Sequence, residues 1–259
     1  MTMDDPRAAA ARFYDHDPSP PNDLPFYIDL IGARQIDVLE LGCGTGRVLV
    51  PLSRHCNTIH GIDHSPAMVA ICQDKLARVG VPRSKASVSV QPVDSFDLGR
   101  RFDLIIAPFR VLQNLATDEA VDGLFAGIHR HLAPQGTCVL NVFNPQGSRQ
   151  AIIDRWSTPV ETLDWEAPYE DGTLSCSVRR TGIDVQRMIL YPELIYRVTV
   201  DGQVVKEATM PIAMRCYWPD QFVQLIENHG FLVRRTWGGY ENQPYGAGPE
   251  LVVAFDRGS

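Results

Sequence analysis

The residues best suited to chemistry lie in one short run. In VLELGCGTGRVLV, residues 38–50, an apolar stretch meets Glu40, and Gly42, Gly44 and Gly46 follow at alternate positions before the chain turns apolar again. Glycines there let the backbone turn sharply and let a ligand lie against bare peptide groups. Their G-x-G-x-G spacing departs from the G-x-G-x-x-G of dinucleotide-binding loops. Glu40 narrows the ligand further, because a carboxylate before the loop repels a phosphate and suits a positively charged group with no phosphate. Asp63 follows about 20 residues on, where an acid at a strand end can take both hydroxyls of a ribose. Asp94, followed by Ser95 and Phe96, closes a third strand. An acid there can accept a hydrogen bond from an adenine amino group, with an apolar side chain against the ring.

Holding these acids at one edge takes a sheet whose strands run the same way. QIDVLELG is a nearly continuous apolar run, as for a strand buried on both faces. TGRVLVPLSRH reads as a helix and NTIHGID as a second strand. SPAMVAICQDKLARVG reads as a helix with Ser65 as cap, Pro66 at its first position and Gly80 as terminator. ASVSVQPV and FDLIIAP are a third and fourth strand, TDEAVDGLFAGIHRHLAPQG a helix ending in a Pro-Gly turn, and TCVLNVFNP a fifth strand. This alternation implies a parallel sheet with right-handed crossovers. Ahead of it, Pro6 opens an alanine-rich helix, DPSPPND breaks it, and DLPFYIDLIG makes a short second helix stopped at Gly32.

From Trp156 to Tyr217 the rhythm changes. No clear helix occurs, and β-rich runs are joined by turn dipeptides, with Asp201-Gly202 a strong hairpin signal. The stretch far exceeds the roughly 12–15 residues of a structureless loop, so a small antiparallel sheet is expected. YWPDQFVQLIENHGF returns to helix, and FLVRRTWGGY and ELVVAFDR close the domain as strands. The expected organisation is a helical cap over 1–34, a main domain over 35–150 and 218–259, and an inserted β subdomain over 151–217.

The 259 residues suit one α/β domain carrying an insertion, with 44% apolar and 21% charged residues. A formal net charge of -7 argues against a nucleic-acid partner. Apolar runs are strand-sized, too short to span a membrane, and MTMDDPRAAAARFYDHD lacks the apolar core of a secretory signal. Six scattered cysteines without a C-x-x-C pair fit a reducing, cytoplasmic compartment. The seven histidines show no ligand spacing, so no metal is expected; His129 and His131, two apart on a helix, point to different faces.

VLELGCGTGR, the acid in GIDHSPAM, VDSFDL and FDLIIAP together resemble, in order and spacing, the motifs of class I S-adenosylmethionine-dependent methyltransferases. The resemblance runs from Phe26 to Asn144 and more loosely from Trp218 onward. It implies a Rossmann-like seven-stranded sheet, its last strand antiparallel, flanked by helices, with the β insertion after strand five. It further implies that Gly42, Gly44 and Gly46 line the methionyl part of S-adenosylmethionine, with Glu40 before them. Asp63, with His64 beside it, would bind the ribose, and Met68 would pack near the adenine. Asp94 and Ser95 would lie at the adenine amino edge, and Ala107 with Pro108 at the reaction centre. APFRVLQNL departs from the Asn- or Asp-Pro-Pro-Tyr signature of base methylases, which speaks against DNA methylation. The insertion and the MRCYWPDQFVQLIENHGF after it resemble the small-molecule branch, the amino-sugar and glycine-type N-methyltransferases.

In such enzymes an N-terminal helix folds over the cofactor. The resemblance therefore implies that Tyr14 caps the cofactor and that His16 or Asp17 meets a small-molecule substrate. Arg110, Gln113 and Asn114 follow the fourth strand at the carboxyl end, where open α/β sheets bind ligands, and read as substrate-facing. Arg215, Tyr217, Tyr240 and Glu241 are candidates for the far wall. The expected reaction is in-line methyl transfer to an N or O nucleophile. A neutral amine needs no strong base, and a hydroxyl needs one near its proton. Two rival readings stay open: a catalytically silent binding protein of the same fold, and a nicotinamide-dependent oxidoreductase. The insertion can serve as a lid or as a homodimer surface.

Overall fold

The computed structural model describes residue 5 and residues 7–258. The chain divides into two compact units, residues 22–145 with 217–259 and residues 1–21 with 146–216.

The larger unit is a seven-stranded sheet. Its strands are β1 (Asp37–Leu41), β2 (Thr58–Asp63), β3 (Ala86–Val90), β4 (Phe102–Ala107), β5 (Leu132–Phe143), β11 (Leu232–Trp237) and β12 (Glu250–Asp256). They lie in the order β11-β12-β5-β4-β1-β2-β3. The pairs among β1 to β5 are parallel, and β12 runs antiparallel to both β5 and β11. This is the Rossmann-like sheet with an antiparallel last strand that the motifs imply.

Period-two alternation sends β1 side chains to two cores. Leu39 and Leu41 join α4 (Asp118–His131) and α6 (Pro219–Asn228) on one face. Val38 joins α1 (Leu24–Ile31), α2 (Leu49–Leu52) and α3 (Pro66–Arg78) on the other. The Ser65 hydroxyl caps α3 by accepting from Met68 N, as the S-P start predicts. Two elements differ from expectation. The helix after the glycine loop shrinks to four residues, because Pro51 has no N–H to donate within it. The Pro-Gly turn after α4 is absorbed into β5, which begins at Leu132 and pays with a register shift opposite Phe102 and Leu104.

The smaller unit holds α5 (Arg149–Trp156), which the sequence reading does not anticipate and which Ser148 caps through Ala151 N. Its sheet consists of β6 (Val160–Tyr169), β7 (Gly172–Asp184), β8 (Ile189–Val200), β9 (Gln203–Pro211) and the short β10 (Met214–Arg215), all paired antiparallel. The Asp201-Gly202 turn joins β8 to β9 with both residues at positive φ, 51° and 75°, the geometry of a two-residue hairpin. One face carries charge: Arg197 bridges Glu161 on β6 and Glu207 on β9, and Arg179 pairs with Glu193. The expected N-terminal helix is a 3-10 helix, Ala11–His16, and its buried Phe13 ring stacks on Tyr196 and meets Tyr169 edge-on, both at 5.8 Å. The helical cap expected over 1–34 is therefore divided, since residues 1–21 group with this unit and α1 with the larger one. Pro6 lies outside the described residues.

Candidate functional site

Glu40 and Asp63 lie at the carboxyl ends of β1 and β2, Asp94 in the loop after β3, and Phe109 and Arg110 after β4. Glu40 is 2% exposed, and its Oε2 has no hydrogen-bond partner. Burial pushes its carboxyl well above the usual range; Cys72 adds to the rise, and Arg47 opposes it. A buried carboxyl with an unspent oxygen is costly unless a donor or a cation completes it.

The three glycines have different tasks. Gly44 sits at φ +52°, and a Cβ there would meet nothing within 4 Å, so its open side is where a ligand can lie. A Cβ on Gly42 would come within 2.6 Å of Val111 Cγ2. Gly46, at φ +84°, would drive a Cβ to 2.5 Å from Cys72 Sγ. The bare Gly46 therefore lets the loop dock on α3.

Asp63 is 1% exposed and spends both oxygens on backbone: Gly44 N donates to Oδ2 and Ser65 N to Oδ1, each at 2.9 Å. It ties the glycine loop to the start of α3, with bifurcated acceptance by its remaining lone pairs still open to hydroxyl donors. His64 is half-buried beside it, 3.6 Å away, and Met68 is buried one turn on. Asp94 is half-buried and Ser95 exposed, with Ser95 Oγ donating to Asp94 Oδ1 at 3.3 Å. Their loop is seated by α4: a Cβ on Gly123 would fall 2.1 Å from Asp94 O, and one on Gly127 2.3 Å from the Phe96 ring. Phe96 itself is fully buried and stacked on His131, so it supports the loop from below and does not face an adenine.

Ala107 ends β4 and is buried, and Phe109 and Arg110 beyond it both take positive φ, 59° and 70°. Two successive left-handed non-glycine residues are strained and must be held by their surroundings. Arg110 N donates to Asn141 Oδ1 at 3.2 Å. The Arg110 guanidinium pairs with Glu250, its Nε 3.0 Å from Oε1, while Asn141 Nδ2 donates to Oε2 at 2.9 Å. Arg110 is thus engaged in holding the kink. Gln113 is fully buried and its Oε1 accepts from Phe143 N at 2.7 Å, which corrects the reading of it as substrate-facing. Asn114 Nδ2 donates to Arg110 O at 3.0 Å. The kink leaves Phe109 41% exposed, its ring 5.8 Å from the Arg47 guanidinium, which forms a two-pronged pair with buried Asp23.

Residues 38–136 match the family described as "Methyltransferase domain". This stretch, which holds β1 to β4 and the glycine loop, is similar to a methyltransferase domain. Over the whole fold it is similar to the solved structure of the CcbJ methyltransferase from Streptomyces caelestis, at TM-score 0.81 and 21% identity over 98% of each chain. It is also similar to the S-adenosylmethionine-bound structure of CalS10, an amino pentose methyltransferase from Micromonospora echinaspora, at TM-score 0.68 and 21% identity over 95% of each chain. A ubiquinone biosynthesis O-methyltransferase from Methylobacterium nodulans is 31% identical over 72 residues, 28% of each chain, so this chain spans little more than a quarter of that relative.

The structure of CalS10 holds S-adenosylmethionine, and the residues gathered here fit such a ligand. Glu40 offers an unspent buried acceptor to a cationic amino group, and Gly44 leaves bare backbone on the open side of the loop. Tyr14 and His16 lie in the smaller unit, Tyr14 half-buried and His16 exposed with its ring 4.9 Å from Tyr169. Arg215 falls in β10 of that unit, while Tyr217 is buried and Tyr240 half-buried in the larger one. Glu250, Asn141 and Asp23 escape the sequence reading, because the partners that give them their roles lie 140, 31 and 24 positions away. Gly123 and Gly127 had a legible signal: two glycines four apart in a helix cost stability unless a neighbour needs the space.

Proposed function

We propose that the protein is an S-adenosylmethionine-dependent methyltransferase acting on a nitrogen or oxygen nucleophile of a small molecule. The unspent Glu40 oxygen beside the open face of Gly44 carries this reading, since that pairing suits a cationic, phosphate-free ligand and not a dinucleotide. Bound S-adenosylmethionine would supply an electrophilic methyl group. The chain's own contribution is to hold the donor by Glu40, the glycine loop and Asp63, to orient the acceptor, and to exclude water. Orientation of this kind can supply about 7–11 kcal/mol of a barrier.

An amine is the first acceptor to test, because it needs no strong base and because CalS10, of similar fold, is described as an amino pentose methyltransferase. Tyr14 and His16 are proposed to contact cofactor and acceptor, with Asn114 on the acceptor side and Arg110 as a positioning group. Calorimetric titration with S-adenosylmethionine, with NAD as control, tests the first step. Binding of the former alone, weakened about tenfold or more in Asp63→Ala, is the expected outcome. NAD binding alone would overturn the reading. Binding without turnover on a panel of amino sugars and phenols would favour the silent binding protein of the same fold.

A further inference from the structure

The hydroxyls of Tyr27 and Tyr240, like Glu40 Oε2, are buried without a hydrogen-bond partner of good geometry. Buried polar atoms in folded proteins are nearly all satisfied; here the two phenols engage each other, Glu40 acts on Tyr27, and the capacity left unspent calls for a ligand. The three side chains arrive on three elements: Tyr27 on α1, Glu40 on β1, and Tyr240 on the loop 238–249 between β11 and β12. Each is set firmly. Phe26 packs edge-on against both phenol rings, at 5.4 and 5.5 Å, and the two rings lie 6.1 Å apart. The base of the Tyr240 loop is drawn tight by Gly238 N donating to Gln243 O at 2.7 Å and by Asn144 Nδ2 donating to Gly246 O and Gly248 O, both at 2.8 Å.

The chemistry of the region is one-sided. Burial raises both phenols and outweighs the rest: Tyr240, Asp23 and Glu40 add to the rise of Tyr27, while Asp23 and Glu250 add to that of Tyr240 and Tyr27 and Arg47 oppose it, so both stay protonated. The phenols are close enough to affect each other, and a bond between them would use one proton and leave the other proton and further lone pairs unspent. The nearby charges are otherwise matched: Asp23 pairs with Arg47, and Glu250 with Arg110. Asp63 is held by backbone N–H groups, and Glu40 forms no ion pair among the described residues, with Arg47 acting on it only through space. One unmatched carboxyl with two neutral hydroxyls is the complement of an ammonium group, which carries one positive charge and three donors.

We propose that Tyr27 and Tyr240 join Glu40 in holding the amino group at the methionyl end of the cofactor. The proposal rests on the reading of the glycine loop as an S-adenosylmethionine site, and it assigns binding roles to two tyrosines outside the glycine-loop and acidic motifs.

The test is calorimetric titration of the full-length protein and its Tyr27→Phe and Tyr240→Phe variants with two ligands. One is S-adenosylhomocysteine, which has the amino-acid end; the other is methylthioadenosine, which lacks it. Each variant is expected to bind S-adenosylhomocysteine about tenfold more weakly, the loss of one charge-assisted hydrogen bond. Each should bind methylthioadenosine within twofold of the parent. Equal losses for both ligands would show a merely structural role and overturn the proposal, as would unchanged binding of S-adenosylhomocysteine. A parent protein that binds neither ligand would overturn the cofactor reading itself, which separates the two failures.

Discussion

At the scale of single residues, Glu40 shows how position changes what a side chain is. On a surface it would be an ordinary carboxylate, and at the end of β1 burial raises its pKa far above that range. The sign of the stability effect follows. A carboxyl whose folded pKa is raised makes the native state lose stability as pH climbs from the unfolded value, about 4.3, through the folded one. Glu40→Gln removes that penalty. The ligand-free variant should therefore gain thermal stability relative to the parent as pH is raised from about 4 to about 8, in melts followed by circular dichroism. The same variant should bind S-adenosylmethionine at least about tenfold more weakly, having lost a charged partner. A flat difference between the two melting curves across that range would mean that Glu40 is not protonated by burial.

At the scale of elements, the glycine loop is a joint between β1, α3 and the ligand, and its glycines separate these contacts. Ala at Gly46 must displace Cys72 Sγ from 2.5 Å while holding φ +84°, and Ala at Gly44 meets no neighbour. Gly46→Ala is therefore expected to cost roughly 2–4 kcal/mol of stability, by strain together with overpacking. Gly44→Ala should cost only about 1–2 kcal/mol, the price of a left-handed residue. Its larger effect should appear in cofactor affinity, because its new methyl occupies the ligand side. Urea unfolding paired with titration distinguishes them. Stability losses of equal size would contradict the division of labour. The loop was legible as a strand–glycine–helix run. That Gly46 docks on a helix was not, because Cys72 is 26 positions on in chain number and nothing local links them.

Across the molecule, the two units draw on different physics. The larger buries apolar side chains on both faces of its sheet. The smaller has a ladder of ion pairs on one face and a tyrosine-rich face met by the 3-10 helix. Surface ion pairs contribute little, so that unit rests on its buried apolar side chains, Leu174, Ile189 and Ile195 with Phe13 among them. Phe13→Ala should cost it about 3–5 kcal/mol. Differential scanning calorimetry should show the loss, and an unchanged melting profile would contradict it. Deleting residues 1–20, a natural way to probe Tyr14 and His16, would also remove Phe13, so point substitutions are the cleaner test of those two side chains.

Periodicity and turn chemistry suffice for most elements here: the strand–helix alternation, the S-P cap of α3 and the Asp201-Gly202 hairpin rest on contacts within a few residues. The acids at strand ends and the G-x-G-x-G run were likewise plain, since a loop that must approach a ligand has few residues to choose from. The Arg110–Glu250–Asn141 cluster, the Tyr27–Tyr240 pair and the seating of the Asp94 loop on Gly123 were not. Each joins groups far apart in the chain, and a side chain's charge state, freedom and exposure depend on what the sheet order brings beside it. Arg110 is the clearest case. Its place after β4 marks it as lying near the ligand edge, and its partner, 140 residues away, makes it a support for the backbone kink.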